Sequence, residues 1–534
     1  MARSARLAKQ GVEPAAGDAP SGLAASAAAG SAWTTAQTVV NKAVTVGAML
    51  LLARLLSPED FGRANLATSV GAFVSVISPF VLGDVLLSMS PRFRMVSGAA
   101  LWTGIASAAI LFLTMVAAAP VVESVSGKAG VAACIMMVAF RPACDAVLIV
   151  PFAKLRIDLS YRLMSIIDLS VILAATAASV AMAWLGAGAA ALIVPPIATL
   201  AVRGLIYWGF VGSEIPLRPV RGEVRPLVRR FAVASLGQYL NNVLQILELL
   251  VLGWFASEAA IGYFGFAFQL AIQANVVIAT QLGSVLQPIF ARMHGEPSRQ
   301  VSAFLRATRL MGSVAVPVSI FQAALAVPVF GLLFGSKWDG AVAAFVALSI
   351  GQAFMFVSAP ATALVKAQGR FKAYVAWQLC HLVLAVSAFC LAAIHGPELA
   401  LWLARAIGLP APQESGIPLA VAIASAVVWA VSCPVGVWVG GRPASLPWRS
   451  VIGVFVGPWL YAAPAAGAVV GAWLGLRLAV SPVVAASAVT FLVAPPLLLA
   501  TIVLSARGHP ETRADLASIL GRFARRRGGG LPSR

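Results

Sequence analysis

Apolar residues fill the chain in runs of about 20, the length an α-helix needs to cross a bilayer, and short clusters of charged, Gly or Pro residues separate the runs. Fourteen runs can be placed: 32–53, 64–89, 96–121, 129–152, 163–184, 187–210, 231–254, 259–286, 308–333, 340–364, 373–394, 417–439, 451–473 and 480–505. The apolar residues are continuous and do not alternate with a period of two, so the pattern predicts helices and not the strands of a barrel. Composition agrees. Hydrophobic residues make up 60% of the chain and charged residues 11%, with a mean hydropathy of +0.91, whereas a soluble domain carries about 25% charged residues. The expected fold class is an all-α polytopic membrane protein with about 14 transmembrane helices.

A net charge of +19 would point to nucleic acid in a soluble protein, but here the basic residues sit between the apolar runs and report topology. With the first segment inside, and Arg309 at the inner edge of its run counted with it, 29 of the 38 Lys and Arg fall inside, and six (Arg54, Arg63, Lys128, Lys337, Arg405, Arg477) fall outside. The positive-inside rule then places both termini in the cytoplasm. Residues 1–30 read as a disordered cytoplasmic tail: Glu13, Pro14, Asp18 and Pro20 stand where a signal peptide requires an apolar stretch. The longest outside loop, 395–416, has room for a short interfacial helix around 398–407 but not for a catalytic domain. The five cysteines and four histidines show no metal-ligand or redox spacing, so neither a metal nor a cofactor is expected, and nucleic acid is not an expected partner.

The chain carries an internal repeat at an offset of about 200 residues. LSPEDFG at 56–62, with Ser57 and Gly62, answers ASEAAIG at 256–262, with Ser257 and Gly262; Asn41 answers Asn241, and Ala67 answers Ala267. Six spans per copy is an even number, so the copies run parallel, and transporters of this plan bind their cargo between the halves. The division expected is an N-terminal six-helix lobe at 31–211, a cytoplasmic linker at 212–230, and a C-terminal six-helix lobe at 231–395 and 396–440. Two further helices at 441–506 and a basic tail at 507–534 complete it. The two parallel lobes would enclose a central cavity.

Polar residues inside spans mark the faces that avoid lipid. Span 1 carries Thr38, Asn41, Lys42 and Thr45 on one helical stripe. Span 7 carries Gln238, Asn241, Asn242, Gln245 and Glu248 on another, its first four displaced by 200 from those of span 1. Span 8 adds Gln269 and Gln273. Amides and hydroxyls both donate and accept, which suits a sugar; hydrogen bonding between helices is the other use of such groups. Lys42 and Arg141 lie near mid-span, where a charge costs about 2.5–3.5 kcal/mol. Arg141 has Asp145 one turn on as a partner; Lys42 has no acid on its own helix. Arg203 sits near the inner end of span 6, within reach of the headgroups. Glu248, Asp145 and Arg203 are candidates for coupling or gating, and the pair Pro195-Pro196 predicts a break or bend in span 6.

The segments ARLLSPEDFG (53–62), IGYFGFAFQLA (261–271), VLQPIFARM (285–293), LLFGSKWDGA (332–341) and ALVKAQGRFKAY (363–374) resemble, in order and spacing, oligosaccharide flippases of the Wzx type. These form the polysaccharide-transporter branch of the multidrug/oligosaccharidyl-lipid/polysaccharide exporter superfamily. The resemblance covers roughly 32–395. It implies alternating access that flips an undecaprenyl-diphosphate-linked oligosaccharide to the periplasmic leaflet of the bacterial inner membrane, for exopolysaccharide, capsule or O-antigen. It implies membrane lipids, a polysaccharide polymerase and glycosyltransferases as partners, and a transporter, not an enzyme. Where relatives often carry Arg-Asn-x-Asp, this chain has Gln245-Ile246-Leu247-Glu248, which keeps an acid and loses a cation. The competing functions are a cation-coupled drug exporter of the same fold using Glu248, Asp145 or Asp84, a lipid II flippase, a membrane-embedded polymerase or transferase, and a scaffold. His395 has no nearby catalytic partner in the sequence.

Overall fold

A computed structural model describes residues 40–158, 160–212, 215–293, 295–410 and 416–507, so both expected tails lie outside the described residues. The first helix, α1, runs over 40–55. It is followed by α2 (Pro58–Val74), α3 (Val81–Ser88), α4 (Phe93–Ser126), α5 (Val131–Val138), α6 (Arg141–Ile157), α7 (Tyr161–Trp184) and α8 (Ala190–Val211). Then come α9 (Arg221–Phe255), α10 (Glu258–Arg292), α11 (Pro297–Ala324), α12 (Ala326–Leu333), α13 (Asp339–Ala367) and α14 (Phe371–His395). The chain ends with α15 (Pro397–Ala406), α16 (Ile417–Gly441), α17 (Trp448–Ala479), α18 (Pro482–Ala488) and α19 (Ala494–Arg507). The described parts of the expected runs are helical for most of their length, and α15 occupies the loop where a short helix was expected. Ten described stretches are long and apolar enough to cross a membrane. Span 2 is not among the ten because it is interrupted, and spans 1, 7 and 8 are described only in part.

Two interruptions matter for function. Span 2 divides into α2 and α3 at 75–80, where Pro79 withholds a backbone donor and the Ser75 hydroxyl donates back to the Gly71 carbonyl. Span 4 divides into α5 and α6 at Ala139–Phe140, just before Arg141-Pro142. Proline at the second position of α6 costs no hydrogen bond, because first-turn amides have no helical partner. Span 6, in contrast, does not break at its proline pair: α8 continues as one helix through Pro195 and Pro196, because a helix packed on its neighbours tolerates the loss of two internal bonds.

The repeat is visible as paired helix starts. Ser57 caps α2 by accepting from the Asp60 amide at 3.2 Å, and the Asp60 carboxylate returns the bond to the Ser57 amide at 3.1 Å. Ser257 caps α10 by accepting from the Ala260 amide at 3.2 Å. The two capped ends then cross. A Cβ on Gly62 would collide with the Glu258 carbonyl, and a Cβ on Gly262 would collide with the Pro58 carbonyl. These contacts interchange when 200 is added to or subtracted from each number, so a local two-fold axis passes between the glycines.

Packing distinguishes the two ends of the bundle. At the end holding the α1–α2 and α9–α10 turns, one continuous apolar core joins both halves, from Met49, Phe61 and Ala67 to Phe264, Phe266 and Trp338. At the opposite end the first half has its own core, with Leu82, Leu86, Phe93, Ile149 and Tyr207. Residues 212–230, expected as a linker, include the first turns of α9. There Leu227 and Phe231 are buried in that separate core, while Leu247 and Val251 of the same helix belong to the joined one. Beyond α16, α17 and α19 pack on α11, and the Ser505 hydroxyl donates to the Ser313 carbonyl at 2.9 Å.

Candidate functional site

The interrupted spans meet at one place. A cavity of about 210 Å³ is lined by Thr68, Gly71, Ser75 and Ser78 from α2 and its break, Arg141 and Asp145 from α6, and Asn242 from α9. Non-helical backbone survives at membrane depth only where it is buried in protein or lines an aqueous cavity, and both breaks satisfy that here. The Arg141 side chain is 60% exposed, while that of Asp145 is 11% exposed; Nε and Oδ2 lie 3.9 Å apart. The acid is therefore sequestered and the cation faces the cavity. Arg141 is also the first residue of α6, so the positive end of that helix dipole aims at the same space. Gln238 donates to the Asn242 Oδ1 at 3.0 Å, carrying the polar surface along α9.

Lys42 is half-buried on α1 and crosses between the halves: its Nζ donates to the Gln273 Oε1 at 2.6 Å. The partner missing from its own helix comes from α10. Thr45 donates to the Asn41 carbonyl at 2.7 Å, and the Asn41 Oδ1 is buried without a partner. One turn from Gln273, Gln269 donates to the Asn65 Oδ1 at 3.2 Å. Asn65 escaped the sequence reading although its offset partner is Gly265; a Cβ there would collide with the Asn65 amide. Thr38 and the side chain of Asn241 lie outside the described residues.

The polar stripe of α9 does not face a single cavity. Asn242 turns to the first half, whereas Gln245 and Glu248 enter a second cavity of about 220 Å³ in the other half, with Ser358, Thr362, Gln378 and His381. Glu248 is 3% exposed, and the Ser425 hydroxyl donates to it at 3.5 Å. Gln378 and His381 come from α14, more than a hundred residues away, and no periodicity within one span groups them with Glu248. Arg203 lies apart from both cavities, paired with Asp168 at 3.3 Å, and Tyr207 donates to the same carboxylate at 2.7 Å. Asp84 lies near the Arg156 guanidinium at 3.8 Å. His395 ends α14.

Bonds across the halves concentrate at the joined end. Arg63 pairs with Glu258 at 2.7 Å, Arg54 donates to the Leu333 carbonyl at 3.2 Å, and Lys128 donates to the Gly253 carbonyl at 2.6 Å. Burial pushes the Lys128 ammonium below the usual lysine range, and Glu258 pulls it back. The Trp338 indole donates to the Ala53 carbonyl at 2.8 Å. Its ring stacks on Phe266 at 3.9 Å and meets the edge of Phe61 at 5.1 Å. At the other end, a cleft of about 1610 Å³ is lined by α3 and the first turns of α9. Among the described residues the bundle is thus closed at one end, open at the other, and polar at two places between.

Known proteins share this plan. A structure of the lipid II flippase MurJ in an inward closed conformation superposes with a TM-score of 0.62 at 11% identity, covering 88% of this chain and 98% of that one. An inward-facing multidrug resistance MATE family transporter of the MOP superfamily superposes with a TM-score of 0.59 at 13% identity, covering 76% and 96%. In sequence, the chain is 23% identical over 359 residues to the succinoglycan biosynthesis transport protein ExoT of Rhizobium meliloti, covering 66% of this chain and 72% of that protein. It is 20% identical over 350 residues to the lipopolysaccharide biosynthesis protein WzxC of Escherichia coli, covering 64% and 70%. The model of the polysaccharide biosynthesis protein family matches residues 51–343, more than half of the chain. Motif order, helical plan and family match agree, and this multi-pass membrane protein belongs to the polysaccharide biosynthesis protein family.

Proposed function

We propose that the chain moves a lipid-linked oligosaccharide from the cytoplasmic to the periplasmic leaflet of the bacterial inner membrane by alternating access. The observation that carries this reading is the cavity where two interrupted helices meet, with Arg141 and the α6 N-terminus turned into it. A diphosphate is the group such a place suits: guanidinium forks match phosphate oxygens, and backbone amides at a helix start add to them. The excess of basic residues between the runs at the open end supports a cytoplasmic side there, with both termini inside. The structure would then be the loading state, with the periplasmic exit sealed by Trp338, Phe266 and the Arg63–Glu258 pair. Amides of Gln238, Asn242, Gln269 and Gln273 would contact the glycan, and Lys42 would assist Arg141 on the diphosphate. Glu248, buried in the second cavity, would couple the cycle to a cation or proton. No covalent bond changes in this cycle, so the chain would act as a transporter and take its cargo from glycosyltransferases on the inner face.

Arg141→Ala and Lys42→Ala variants test the reading. Truncating one partner of a desolvated charge contact costs about 2–5 kcal/mol. Each variant is expected to lower surface polysaccharide output by at least tenfold and to accumulate inward-facing lipid-linked precursor, at unchanged membrane levels. Normal export by both variants would reject the assignment of these residues; unchanged glycans and precursors in a deletion strain would reject the function.

A further inference from the structure

Helix α9 is 35 residues long, about 52 Å at 1.5 Å per residue, and a bilayer core needs only about 20 residues. Its first turns extend along the open cleft, which Arg225, Arg229 and Arg230 line together with Asp84, Val85 and Ser88 of α3. All three arginines are exposed, and among the described residues no carboxylate pairs with any of them. The two acids nearby are engaged elsewhere, Asp84 by Arg156 at 3.8 Å and Glu223 by Arg92 at 3.7 Å. The exposed Val228 stands between the arginines, and the exposed Val233 and Leu236 follow them on the same helix. Free guanidinium groups interleaved with apolar side chains recognise a phosphate carried on a hydrocarbon chain. The same helix leads inward: Asn242, at the Arg141 cavity, lies thirteen residues beyond Arg229, about 20 Å along the axis.

We infer that the cleft formed by α3 and the start of α9 is a staging site, where Arg225, Arg229 and Arg230 hold the diphosphate of the polyprenyl-linked cargo before it reaches Arg141. The inference rests on the transport reading above and adds a second, peripheral phosphate site to it. The basic surplus at this end also sets topology, so the test must separate phosphate recognition from general positive charge.

The test uses full-length protein in phosphatidylcholine nanodiscs with undecaprenyl diphosphate as probe, and binding is read from its displacement of a fluorescent polyprenyl diphosphate. Each arginine replaced by Gln is expected to weaken binding about fivefold, and the three together about a hundredfold. Arg449→Gln, which removes one exposed charge at the same end, should leave it unchanged. Replacing the three by Lys keeps the charge, loses the planar fork, and should restore only part of the affinity. Unliganded melting of the Gln variants should match wild type, because the three side chains are exposed. Wild-type binding that survives in the triple Gln variant would overturn the staging site while leaving the transport reading intact. Equal displacement by phosphatidylglycerol would also overturn it, as a surface for bulk lipid. Failure of the wild type to bind undecaprenyl diphosphate at all would instead count against the transport reading itself.

Discussion

A charge inside a bilayer is costly enough to be read from sequence alone, and Lys42, Arg141 and Asp145 stood out for that reason. What they touch was only partly legible. Asp145, one helical turn from Arg141, could be paired by counting. Gln273, the acceptor for Lys42, is 231 residues away, and Asp168 reaches Arg203 from another helix; periodicity within one span carries no information about such partners. The pairing of Arg141 with Asp145 invites a sharper experiment than truncation alone. If Arg141 served only to neutralise the buried carboxylate, removing both side chains would restore what removing one destroys, because the cost comes from the orphaned charge. If Arg141 holds cargo, Arg141→Ala combined with Asp145→Ala remains defective in export while regaining normal melting. We expect the second outcome, measured as surface polysaccharide per cell alongside the Tm of the purified double variant. For Arg203 the expectation is reversed. Arg203→Ala removes the charged partner of Asp168 but leaves the Tyr207 hydroxyl on it, and should lower stability by about 1–3 kcal/mol with little specific effect on cargo affinity.

Helical spans were the most legible elements, since twenty apolar residues in a row leave few alternatives. Their interruptions were not. Hydropathy averages composition over a window and does not register which backbone groups lose their partners, so the breaks at 75–80 and before Arg141 passed unnoticed. Prolines stood at both, at Pro79 and Pro142, but also at Pro195 and Pro196, where the helix continues. Proline alone therefore does not identify a break; the neighbouring groups that take up the freed donors and acceptors decide. The crossing of α2 and α10 was better marked, because matching glycines 200 residues apart are hard to explain otherwise. Gly62→Ala should push these helices apart, at a cost of about 1–3 kcal/mol typical of overpacking. That destabilises the sealed end relative to its open counterpart and shifts the equilibrium between them by roughly 5- to 150-fold. Labelling of an Asn65→Cys variant by an impermeant maleimide added from the periplasm should rise accordingly. Gly62→Ala that leaves the labelling rate unchanged would show that this crossing does not hold the seal.

For the whole molecule, the sequence repeat announced two parallel halves, and the helical plan follows it. The asymmetry between a sealed end and an open end could not be read the same way: one sequence must encode every state of a transport cycle, and hydrophobic pattern does not choose among them. The course of α9 was also hidden, because residues 212–230 are charged and read as a linker. From Arg221 that stretch instead begins a helix that sinks Leu227 and Phe231 into the core of the first half and Leu247 and Val251 into the core shared by both. One rod is thereby anchored in two bodies. A chain severed just ahead of it, between Ile215 and Val220, should lose covalent continuity without losing assembly, because the free end of the second fragment carries its own plug for a socket in the first. Co-expressed fragments are expected to co-purify and to complement a deletion strain. Replacing Leu227 and Phe231 by Ser should abolish that complementation in the severed protein while being far better tolerated in the intact one, where the chain itself keeps the plug near its socket.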